Sequence, residues 1–103
     1  MKRGEVRWYK FKSPDKKRPV VILTRNSIVD YLGEVTVVPI TTTIRDIPSE
    51  VLLSKEDGMH NDCAINCDHI QTVLKERIGP LITTLSKEKL FQVRNAISFA
   101  LNL

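Results

Sequence analysis

Two short apolar runs, dense in β-branched residues, govern what this chain can fold into. One is Pro19-Val20-Val21-Ile22-Leu23-Thr24 and the other is Val35-Thr36-Val37-Val38-Pro39-Ile40. Both are too short for a buried helix and are bounded by polar or turn-forming residues, so both read as buried strands. Each also carries polar groups at one end. Lys16-Lys17-Arg18 leads into the first run, and Thr41-Thr42-Thr43 follows the second. A planar guanidinium and a hydroxyl held on stiff strand ends suit a phosphate, and hence RNA.

The remaining segments fit the same class. Strands are expected over residues 5–11, 19–24, 34–40, 49–53 and 63–67. Residues 68–74 read as strand or helical turn, and 81–85 as a short strand or an extended entry to a helix. Residues 26–30, 41–48 and 55–61 read as loops, with Asp57-Gly58 as a turn, and Gly79-Pro80 reads as a chain break. One clear helix spans 87–101. Ser86 is its N-cap, Glu88 suits its first turn, and Leu90, Val93, Ile97, Ala100 and Leu101 form its apolar stripe. Five to seven short strands and a terminal helix imply a mainly β fold: a small, curved antiparallel sheet or barrel with the helix packed against it. The length of 103 residues fits one domain, 1–103.

The net charge is +4, but residues 1–25 alone carry +7 and the rest −3. A basic N-terminal quarter attracts polyanions or an acidic protein segment. No window reaches the length of a transmembrane span and no signal-type apolar stretch follows the start, so the expectation is a cytoplasmic protein with no membrane partner. Cys63 and Cys67 would stand roughly 13 Å apart along a strand, too far for a disulfide, and are expected as free, buried thiols.

Arg18 leads the candidates for chemistry, because Pro19 biases its backbone to an extended form and Lys16 and Lys17 adjoin it. The hydroxyls of Thr41 and Thr42 can bond a phosphate or a base, although threonine is also an ordinary strand and turn residue. His60, Cys63, Cys67 and His69 do not have the paired spacing of a structural zinc site, and no metal or other cofactor is expected. His69 has the chemistry of a general acid or base, and Trp8, Tyr9 and Phe11, set among basic residues, can stack on single-stranded bases or pack in a core.

Several blocks, in order, give the chain a resemblance. Arg3-Gly4-Glu5-Val6-Arg7-Trp8, Arg18-Pro19-Val20-Val21-Ile22-Leu23, Val37-Val38-Pro39-Ile40-Thr41-Thr42 and Asp68-His69-Ile70-Gln71-Thr72-Val73, followed by the terminal helix, resemble the MazF/PemK toxins, the RNA-cleaving halves of bacterial toxin–antitoxin pairs. The resemblance implies an SH3-like barrel and a homodimer. It also implies a metal-independent, sequence-specific endoribonuclease acting on single-stranded RNA (messenger, ribosomal or transfer), with a cognate acidic antitoxin as partner. The catalytic arginine and threonine fall on Arg18 and Thr41, with Lys16, Lys17, Thr42, His69 and Gln71 as RNA-binding positions. The first hairpin loop is shorter than the family pattern, His69 stands where glutamine is frequent, and Gln71 where a basic residue is frequent. The alternative is a non-catalytic SH3-like module that binds nucleic acid or peptide.

Overall fold

The computed structural model describes residues 1–11 and 17–103; the hairpin loop between them, with Lys16, lies outside the described residues. Seven strands form one antiparallel sheet: β1 (Glu5–Lys10), β2 (Lys17–Ile22), β3 (Glu34–Thr41), β4 (Glu50–Leu53), β5 (Cys63–Asn66), β6 (Gln71–Leu74) and β7 (Ile78–Thr84). Two helices join them, the single turn α1 (Asn26–Val29) and the terminal α2 (Lys87–Leu101). The spatial order is β4-β5-β3-β2-β1-β7, with β6 on β3.

The central strand is β3, and its two edges differ. One edge pairs with β2 through Val20–Pro39, Val21–Val38 and Ile22–Val37. The other is shared: Glu34 to Val37 pair with β6, and Ile40 and Thr41 with β5. The chain between β5 and β6 turns sharply through a 3-10 turn at Cys67–His69, so the sheet bends there into the curved form that the strand pattern implied. Pro39 falls in the gap between the two partners. A residue without an N–H is tolerated in a central strand where the ladder is interrupted, and that gap supplies the interruption.

Neighbouring side chains in a strand point to opposite faces, and both faces of β2 and β3 are covered. Val6, Val21, Val38, Ile40 and Ile65 pack on one side with Val93 and Ala96 of α2. Val20, Ile22, Val35 and Val37 pack on the other with Tyr9, Val73 and Val29 of α1. Double coverage is why these two runs are apolar throughout instead of alternating. Cys63 and Cys67 are free and buried, as expected.

Three local readings change. Gly79-Pro80 does not end a strand, since β7 runs through both residues. Tyr9 pairs with Ile78 and Arg7 with Leu81, so Gly79 and Pro80 together oppose Trp8 in a bulge. Proline is allowed because β7 is an edge strand, and glycine because a Cβ there would lie 3.2 Å from the Trp8 carbonyl oxygen. Residues 26–29 form a helical turn in place of a loop. They bury Val29, whose carbonyl accepts from Lys75 Nζ at 2.8 Å, and four residues are too few for periodicity to register. On α2 the buried face includes Ala96, whereas Leu101 is exposed.

Candidate phosphate-binding cleft

The register of β2 against β3 builds the site. Val20 faces Pro39. Carried two residues further along the same antiparallel register, Arg18 falls opposite Thr41. Both line one cleft of about 570 Å³ at that end of the sheet, together with Lys17, Thr42, Trp8 and His60. The sequence reading expected the two strand ends to hold a guanidinium and a hydroxyl near one another, and the ladder carries both ends to this cleft.

Each lining group is held by a local device. Thr41 is half-buried, and its Oγ1 accepts from the Thr43 backbone N–H at 3.1 Å. The hydroxyl keeps its own proton as a donor. Trp8 is half exposed at the bulge, while its neighbours in the sheet, Val6 and Tyr9, are buried. Next to it, Arg7 donates to Glu5 Oε1 at 2.8 Å and to the Gly79 carbonyl at 3.1 Å, which ties down the bulged segment. Burial raises the Glu5 carboxyl, but the Arg7 hydrogen bond, a hydrogen bond from the Lys2 backbone N–H, and the Arg7 and N-terminal charges outweigh it and leave the group below its ordinary 4.5.

His60 and Asn61 reach the cleft by a different route. Ser54 and Asp57 form a reciprocal capping box around a 3-10 turn at Lys55–Asp57, and Gly58 closes it at φ +94°. A Cβ on Gly58 would meet the Thr83 side chain, so only glycine fits. Thr83 Oγ1 donates to the Asp57 carbonyl at 3.0 Å, and buried Met59 pins the chain just beyond. His60 and Asn61 then line the cleft. Nothing in residues 55–61 announces this, because it depends on a loop docking against β7. His60 entered the sequence reading only as a metal candidate.

Among the described lining residues there are two cations, Lys17 and Arg18, and no carboxylate. Such a cleft favours an anion. Cys63 forms part of the floor, and burial, with Asp57 and Asp62 nearby, pushes its thiol up, so it stays neutral and unreactive. No group of three His, Cys, Asp or Glu side chains able to hold a metal occurs among the described residues.

His69 and Gln71 are placed elsewhere. His69 ends the 3-10 turn beyond β5, with Nδ1 3.4 Å from Asn66 Nδ2, and Gln71 Nε2 donates to the His69 carbonyl at 3.3 Å. Cys63 at the cleft and Asn66 at this corner are the two ends of β5, ~10 Å apart at strand rise.

Comparison with known proteins shows the family. The family model described as PemK-like, MazF-like toxin of type II toxin–antitoxin system matches residues 2–101. The chain belongs to the PemK-like, MazF-like toxins. It is similar to endoribonuclease MazF3 of Mycobacterium tuberculosis, 40% identical over 74 residues, covering 68% of this chain and 72% of that protein. It is also similar to the probable endoribonuclease MazF2 of the same species, 38% identical over 93 residues and 89% of each chain. Among solved structures, the M. tuberculosis toxin MazF-mt6 superposes with a TM-score of 0.89 at 32% identity, covering 96% of this chain and 97% of that one. A mycobacterial endoribonuclease in complex with its cognate antitoxin also superposes at 0.89, with 25% identity, covering 100% and 96%. The order of sequence blocks that suggested a MazF-like toxin is therefore matched by the family model and the fold.

Proposed function

We propose that this MazF-like toxin cleaves single-stranded RNA at a specific sequence, without a metal, in the cleft of Arg18 and Thr41. The observation that carries this reading is that a guanidinium and a threonine hydroxyl line one cationic cleft. The substrate 2′-hydroxyl attacks the adjacent phosphorus, the P–O5′ bond breaks, and a 2′,3′-cyclic phosphate and a 5′-hydroxyl result. Negative charge grows on the phosphoryl oxygens in that step. Arg18 is suited to stabilise it with a forked pair of N–H donors, and Thr41 to add one O–H donor. Preorganised donors of this kind are worth about 3–4 kcal/mol each.

Lys16, Lys17 and Thr42 contact the flanking phosphates, and Trp8 offers a stacking face. His69 and Gln71 meet only RNA that runs past the cleft along β5. The whole of 1–103 acts as one toxin domain, in the cytoplasm, as a homodimer held in check by an acidic antitoxin. In support, a mycobacterial endoribonuclease of the same fold is described in complex with its cognate antitoxin, and residues 1–25 carry +7. No helix among the described residues is long and apolar enough to cross a membrane.

The test is incubation of the purified protein with long messenger, ribosomal and transfer RNA in excess chelator, with mapping of fragment 5′ ends. Cleavage at one short motif that is lost in Arg18→Ala and Thr41→Ala supports the assignment. Wild-type rates in both variants would remove it, and tight binding without products would make the chain a binding module. Antitoxin association should weaken as salt rises, and a salt-independent affinity would count against electrostatic docking.

A further inference from the structure

The proposed reaction needs a group to accept the 2′-hydroxyl proton, and the described lining of the cleft is short of proton acceptors. Its described lining supplies donors in plenty: Lys17, Arg18, the threonine hydroxyls and the Asn61 amide. Arg18 and Lys17 are protonated at neutral pH and hold no lone pair for a proton. No carboxylate lines the cleft among the described residues, and the Cys63 thiol is buried with its proton retained. An imidazole is the side chain that ordinarily exchanges a proton between pH 5 and 8. The chain has two histidines. His69 sits at the far end of β5, against Asn66. His60 is exposed in the cleft wall, carried there by Gly58 and the Met59 anchor.

We infer that His60 is the general base of the cleft, taking the 2′-hydroxyl proton while Arg18 and Thr41 hold the phosphate. This rests on the RNA-cleaving reading above. The O2′–P bond forms as the proton passes to the His60 imidazole. The P–O5′ bond breaks, the 5′-oxygen takes a proton from solvent water, and the imidazolium returns its proton to water. The net change is one proton moved from O2′ to O5′, with no oxidant or other co-reactant. His60 bonds to no other described side chain, so its replacement perturbs the fold little.

The experiment is single-turnover cleavage of an RNA carrying the mapped site, from pH 5 to 9, with wild type, His60→Ala and His60→Gln. Binding of the same RNA with a 2′-deoxy group at the scissile position is measured in parallel. The expected result is a 10²- to 10⁴-fold fall in the cleavage rate, loss of the acidic limb of the wild-type profile, and binding within threefold of wild type. Partial rescue of His60→Ala by added imidazole should follow. Variants that keep the acidic limb, or that lose binding in proportion to rate, overturn the assignment, and His60 is then a binding residue or a bystander. If the wild type itself cuts no RNA, the RNA-cleaving reading fails, which is a distinguishable outcome.

Discussion

The cleft and the corner beyond β5 are built from similar residues and do different things with them. Each has a histidine, hydroxyls and amides close to a buried strand. At the corner these groups satisfy one another. Buried Ser49 donates to Asp68 Oδ2 at 2.6 Å, the Asp68 N–H donates to Asn66 Oδ1 at 3.1 Å, and Asn66, His69 and Gln71 are linked in turn. At the cleft, Lys17, Arg18, Thr42, His60 and Asn61 make no side-chain hydrogen bond to another described residue, and the one bond at Thr41 is accepted from the Thr43 backbone N–H. A polar cluster that closes on itself fixes the chain, while one that faces open space is ready for a ligand. Residue type alone does not separate the two.

That contrast is open to attack in order of effect. Arg18→Ala should lower RNA cleavage by about 10²- to 10³-fold, and Thr41→Val by about the lower of those figures, with melting temperatures near wild type. If either change instead unfolds the protein, the cleft is structural like the corner. Ser49→Ala should show the reverse pattern. The loss of its bond to Asp68 costs about 1–1.5 kcal/mol in denaturant unfolding, with cleavage per folded molecule unchanged. His69→Ala should shift KM a few-fold and leave kcat alone. A large fall in kcat would bring the corner into the chemistry.

The smallest effect concerns the bulge beside Trp8. Glu5→Gln removes the negative charge that faces Arg7, at a cost of at most ~1 kcal/mol for this partly exposed pair. The Glu5 carboxyl is depressed in the folded state, so its contribution is present above the ordinary 4.5 and lost as pH falls through the folded value. Melting curves of wild type and variant should therefore converge below about pH 4.5. A gap that grew on acidification would reverse the sign. The thiols give a check at the other end of the scale. Burial, with Asp68 alongside, pushes Cys67 up to about 11, so neither thiol should alkylate in the native protein at pH 8, and both should in denaturant.

Much of this was legible in the residues themselves. The β-branched runs at 20–22 and 35–38 announced buried strands because a strand covered on both faces has no polar side to show. Ser86, Glu88 and the 3.6-residue spacing announced α2. Arg18 and Thr41 were legible as candidates for a phosphate by residue type, and the ordered family blocks pointed to the family that the chain belongs to. What the sequence could not supply was convergence. Arg18 and Thr41 line one cleft because the antiparallel register of β2 and β3 carries both to the same end of the sheet. Trp8 lines the cleft opposite the point where Gly79 and Pro80 bulge β7. His60 arrives because a glycine-closed turn docks on Thr83. Strand identity is a local property, set by side-chain shape and burial. The site is a property of register, bulge and loop docking, and these are fixed only when distant segments pack.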